Sequence, residues 1–100
     1  MKIEYIKIQE KEYKLKIGFG VMMAFEDETS KAITDIKGKT EILKLAYLTL
    51  QYNNEHFKYS YRTFVDDILD ENPALFIELI TTISSLLFGK SEDASEGKKK

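Results

Sequence analysis

His56 is the only histidine of the chain, and no other side chain titrates near neutral pH without help, so acid–base chemistry would have to begin there. It lies in the polar stretch between two expected helices. No serine or carboxylate stands around it at the spacing of a nucleophile, a general base or a ligand set, so the spacing reads as a solvated loop histidine. Asp66, Asp67, Asp70 and Glu71 form two carboxylate pairs at i,i+4, a geometry that can offer oxygen ligands to a divalent ion. The glycine-turned loop and bidentate ligand order of a calcium site are missing, however, and acidic residues early in a helix already serve its positive end. Charge complementarity with a basic partner is the better functional use of that face. Gly18-Phe19-Gly20 follows an expected strand without the lysine or third glycine that a phosphate cradle needs, and a turn accounts for it. Tyr47, Tyr52, Tyr59 and Tyr61 could stack on bases, but only Lys58 and Arg62 are interleaved with them, which favours packing. No catalytic residue, metal or cofactor is expected, and the chain reads as a non-enzymatic binding protein.

Composition narrows the class further. A chain of 100 residues with 43% apolar content can close one hydrophobic core, which implies a single domain over residues 1–89 followed by a charged, disordered tail over 90–100. Without cysteine there is no disulfide framework, thiolate site or thiol nucleophile, which fits a reducing compartment. Met1 to Ile8 alternates charged and apolar residues unlike a signal peptide, and no run of about 18 apolar residues occurs, so a cytoplasmic protein with no membrane partner is expected. The 15 basic and 17 acidic residues leave a net charge of -2, far from the basic footprint of a nucleic-acid binder.

The elements that must carry these residues follow from periodicity and caps. Ile3–Ile8 and Glu12–Ile17 alternate as strands, with Ile3, Tyr5, Tyr13, Leu15 and Ile17 assigned to one face and a tight turn at Gln9-Glu10-Lys11. Val21, Met22 and Phe25 fall on one side of a short helix ending near Glu28, and residues 29–39 form a polar loop with one helical turn. Thr40 is the expected N-cap of a central helix reaching Tyr52, closed by Asn53-Asn54, and its wide apolar arc calls for neighbours on several sides. Thr63 is the expected N-cap of the acidic helix. Asn72-Pro73 gives a cap plus N1 proline for a last helix ending at Phe88, with Gly89 at C′. The expected fold class is α+β: an N-terminal two-stranded β-hairpin, about four α-helices and a disordered tail.

Such a chain carries more apolar helix surface than a hairpin and a short helix can cover. Leu48 interrupts the polar side of the central helix, and Ile77 and Phe88 lie on the flank of the last one. These three residues, with the acidic face of Asp66, Asp67, Asp70 and Glu71, are the expected partner-binding positions, and self-association is expected through the apolar ones.

The order of pieces also carries a resemblance. The hairpin Lys7-Ile-Gln-Glu-Lys-Glu-Tyr-Lys-Leu-Lys-Ile, Gly-Phe-Gly, the acidic Met23-Ala-Phe-Glu-Asp-Glu, the helix Leu43-Lys-Leu-Ala-Tyr-Leu-Thr-Leu-Gln-Tyr-Asn-Asn, the segment Thr63-Phe-Val-Asp-Asp-Ile-Leu-Asp-Glu-Asn and the lysine-rich end resemble the tail assembly chaperones of long-tailed phages and prophages. The resemblance implies a short-form chaperone that binds the tape measure protein, helps recruit tail tube subunits and performs no chemistry. It also implies a longer product made by ribosomal frameshifting, for which the A-rich codons of Lys98-Lys99-Lys100 would be a slippery site. The alternative is a small interaction or regulatory module of a mobile element, adaptor or antitoxin-like.

Overall fold

The computed structural model describes residues 2–88, and within them the chain is the expected α+β arrangement. Strands β1 (Glu4–Ile8) and β2 (Lys11–Leu15) form an antiparallel hairpin. They are followed by α1 (Phe19–Thr29), a 3₁₀ turn at Ile33–Asp35, and α2 (Lys39–Asn53). A short α3 (Tyr61–Thr63) runs directly into a π-helical stretch, Phe64–Leu69, and α4 (Pro73–Phe88) closes the described chain. Gly89 and the tail over 90–100 lie outside the described residues.

The hairpin corrects one expectation by a single residue of phase. Ile6, Ile8, Tyr13, Leu15 and Ile17 are buried, whereas Ile3 and Tyr5 face outward. Strand β1 carries two competing apolar phases, Ile3/Tyr5 and Ile6/Ile8, and the turn decides between them. Gln9 and Glu10 alone make the turn, both at positive φ (50° and 70°), the conformation of a type I′ turn built here without Asn-Gly. That two-residue loop pairs Ile8 with Lys11 and Ile6 with Tyr13, so Ile6 must share the face of Tyr13 and Leu15.

Helix α2 is the centre of the molecule, touching β2, α1 and α4, while α4 also crosses β1. Leu43 and all six residues from Leu45 to Leu50 are buried. A second correction follows: Leu48 is only 6% exposed and belongs to the core, so it offers nothing to a partner. Its side of α2 is covered by α1, with the Tyr52 ring lying over Gly20 at one end and Lys44 Nζ 4.0 Å from Glu28 Oε2 at the other.

The caps shift by small, explicable steps. Helix α2 starts from Gly38 rather than Thr40, which places Glu41 in the third helical position, where its Oε1 accepts the Lys37 backbone N–H at 2.7 Å. Helix α3 starts from Ser60, whose hydroxyl accepts the Thr63 N–H at 3.1 Å, while Thr63 itself is helical (φ −61°, ψ −41°). Asn72 and Pro73 begin α4 as expected. At the far end of α2, the buried Asn54 side chain pairs with the edge of β2. Its Oδ1 accepts the Lys14 N–H and its Nδ2 donates to the Lys14 carbonyl, both at 3.0 Å, while a further bond from Nδ2 reaches the Leu50 carbonyl at 2.9 Å.

Candidate partner-binding surface

The residues singled out for chemistry do not converge. His56 is exposed, and its ring stacks on Tyr13 with centroids 5.3 Å apart. Phe57 and Phe64 are buried; Phe57 packs edge-on against Tyr47, Tyr59 and Phe64, and Phe64 lies tilted against Tyr47, so the tyrosine-rich linker is one wall of the core. Tyr47 donates its hydroxyl to the Tyr59 carbonyl at 2.6 Å, and burial, then the charge of Glu28, raises its pKa above the ordinary phenol value. No group of three or more His, Cys, Asp or Glu side chains is arranged to hold a metal ion among the described residues. No helix of the described chain is long and apolar enough to cross a membrane.

The acidic residues do share one surface. Asp66, Asp67, Asp70 and Glu71 are all exposed, and Arg62 Nε lies 3.5 Å from Asp66 Oδ2 in an i,i+4 pair that is solvated on both sides. From Tyr61 to Phe88 the chain carries one arginine against five carboxylates, so this end of the molecule is far more negative than the net charge of -2 suggests.

The apolar candidates divide. Leu48 is core, but Ile77 is 63% and Phe88 62% exposed. Helix α4 fully buries only Leu75, Leu79 and Ile83, leaving Phe76, Ile80, Leu86 and Leu87 half-covered. Glu78 is the sole charged residue along it. Thr81 and Ser84 separate Ile77 from Phe88 on the outward side at 4-3-4 spacing, so the two apolar residues lie on one line of the helix.

Two features were missed by sequence reasoning. Phe19 and Met23, 76% and 66% exposed, sit one turn apart on the side of α1 opposite the buried Val21 and Phe25, beside the exposed Tyr52. Their i,i+4 spacing was the available signal. The second is an open groove of about 270 Å³ lined by Leu43, Val65, Leu69, Asp70, Pro73 and Phe76. It is assembled from three separate segments, so no local pattern announces it. Comparison with protein-family models, with curated proteins and with solved structures returned no match.

Proposed function

We propose that this protein is a tail assembly chaperone of a long-tailed phage or prophage. In this reading it holds the tape measure protein soluble in the bacterial cytoplasm, associates with copies of itself and helps bring tail tube subunits to the growing tail. The observation that carries the reading is α4: a helix of 16 residues with one charge that commits three residues fully to the core and leaves Ile77 and its half-covered neighbours available. A long helical partner that aggregates alone is the occupant such a face suits, because apolar helix-to-helix contact replaces the contacts it would otherwise make with itself. The whole-chain resemblance in the order of elements supports the same partner.

Co-expression with the tape measure protein encoded beside it is the test. The partner is expected in the soluble fraction with the native chain, and largely insoluble with Ile77→Asp, a variant that should fold normally because the residue is exposed. A partner that stays insoluble with the native chain, in its short form and in any frameshifted longer form, removes the chaperone reading and leaves the regulatory module in its place.

A further inference from the structure

We propose that the groove between α2, the π-helical stretch and α4 is an anchor site for one large apolar side chain of a basic amphipathic helix. The inference deepens the chaperone reading and rests on it only for naming the partner that owns the helix.

The groove exists because of local backbone geometry. A π-helical run of six residues is rare, since each turn is wider than an α-turn, and such runs concentrate at functional sites. Here the run ends at Leu69, the Asn72 N–H closes the corner onto the Leu69 carbonyl at 3.1 Å, and Pro73 starts α4 in a new direction. The corner leaves Val65 and Phe76 half-buried on either side of a floor made by Leu43 and Leu69.

Size selects the type of occupant. About 270 Å³ lies just below the range of roughly 300–1,000 Å³ typical of small-molecule pockets, yet it accommodates one aromatic or aliphatic side chain. The lining belongs to helices, so a helix laid across it is the matching element, as in helix-in-groove recognition.

Charge selects the rest of the occupant. Asp70 lines the groove itself, Asp66 lies one turn before it, and Asp67 and Glu71 are their exposed neighbours. The one arginine of this region is already paired with Asp66. Lysine or arginine flanking the anchor is therefore attracted, whereas a second copy of this same face is repelled, which argues against a symmetric dimer through the groove.

The probe is a synthetic amphipathic helix of about 18 residues, five helical turns, with leucines on one face and lysines elsewhere. It is titrated into the ¹⁵N-labelled full-length chain. Two controls share its length: one with every lysine replaced by glutamate, one with every leucine replaced by serine. Saturable binding is expected, with the largest shifts at the amides of Leu43, Val65, Leu69 and Phe76. Affinity should be at least about tenfold weaker for each control and for Asp70→Lys, and should fall as salt is raised from about 50 mM to about 500 mM. Asp70 is exposed, so its variant tests the site without threatening the fold. The inference is overturned if the glutamate peptide binds as well, if Asp70→Lys leaves affinity unchanged, or if the shifts centre on Ile77 or on Phe19 and Tyr52. Peptide binding in the groove alongside failed co-expression would leave the groove standing and the chaperone reading without support. Normal rescue of the tape measure protein by the native chain, with no peptide binding to that same chain, would do the reverse.

Discussion

Helices α2 and α4 are nearly equal in length, 15 and 16 residues, yet they relate to water in opposite ways. Helix α2 carries Lys39, Glu41 and Lys44 and is nevertheless buried through Leu45–Leu50, because the hairpin, α1 and α4 close around it. Helix α4 carries a single charge and is buried along one narrow stripe. Burial here follows position in the fold rather than apolar content. The more apolar helix is the more exposed one, and that mismatch is the physical argument for a partner at α4.

The sharpest way to break the comparison is to place a charge on each helix. Leu48→Glu puts a carboxylate into a covered site and should cost roughly 3–5 kcal/mol, enough to unfold much of the protein. Ile77→Glu should change stability by no more than about 0.5 kcal/mol, as for other exposed helix positions. Denaturant midpoints measure both. Equal losses would mean that the outward face of α4 is covered in solution.

The contrast between Leu48 and Ile77 also shows what the sequence could reveal. Both interrupt or flank a polar face on a helical wheel, and a wheel knows only its own helix. It placed Ile77 outside, and could not register that α1 lies along the Leu48 side. Signals that depend on a few neighbouring residues were legible: Asn53-Asn54 ending α2, Asn72-Pro73 starting α4, two strands and a tight turn. The face of β1 was not, because two apolar phases coexist and only the pairing register separates them. In sequence the π-helical stretch is indistinguishable from an ordinary amphipathic helix, since Phe64, Val65, Ile68 and Leu69 fit either winding, and the groove beside it is hidden for the same reason.

Helix α2 is tied to β2 at its C-terminal end by the Asn54 side chain. Asn54→Ala removes both bonds to Lys14 and the bond to Leu50, leaving half-buried strand-edge groups and the buried Leu50 carbonyl without those partners, at a cost of about 2–3 kcal/mol. Faster amide exchange of β2 and of the last turn of α2, with α4 unaffected, is the expected pattern. Uniform loss across the molecule would instead mean that Asn54 supports the whole core.

A smaller effect is expected from Tyr47→Phe, which keeps the ring packing and deletes the bond to the Tyr59 carbonyl, costing about 1 kcal/mol near neutral pH. Burial raises the Tyr47 pKa in the folded state, so the related stability is complete below the ordinary tyrosine value and is lost as pH rises through the raised one. Thermal melts at rising alkaline pH should therefore show the native chain losing its lead over Tyr47→Phe. A constant gap would assign the bond no linkage to ionisation.

The smallest effect is expected at the helix starts, where α2 and α4 again differ in kind. Asn72 caps α4 with groups that do not titrate, its carbonyl and Oδ1 accepting the Leu75 N–H at 3.0 and 3.3 Å. Helix α2 instead relies on Glu41, whose carboxylate accepts from the Lys31 ammonium and from the Lys37 backbone N–H. The bond from Lys31, and then that from Lys37, holds the Glu41 carboxyl below the usual glutamate value. A folded-state pKa below the unfolded one contributes stability above the ordinary carboxylate range and loses it as pH falls through the lowered value. Glu41→Gln should therefore loosen the first turn of α2 at neutral pH, seen as faster exchange of the Ile42 and Leu43 amides, and the native chain should converge on the variant as the pH drops. The first turn of α4 should respond to neither change. If the Leu75 and Phe76 amides shift with Glu41→Gln, or the gap at Ile42 survives acidification, the charge at Glu41 is not what fixes the start of α2.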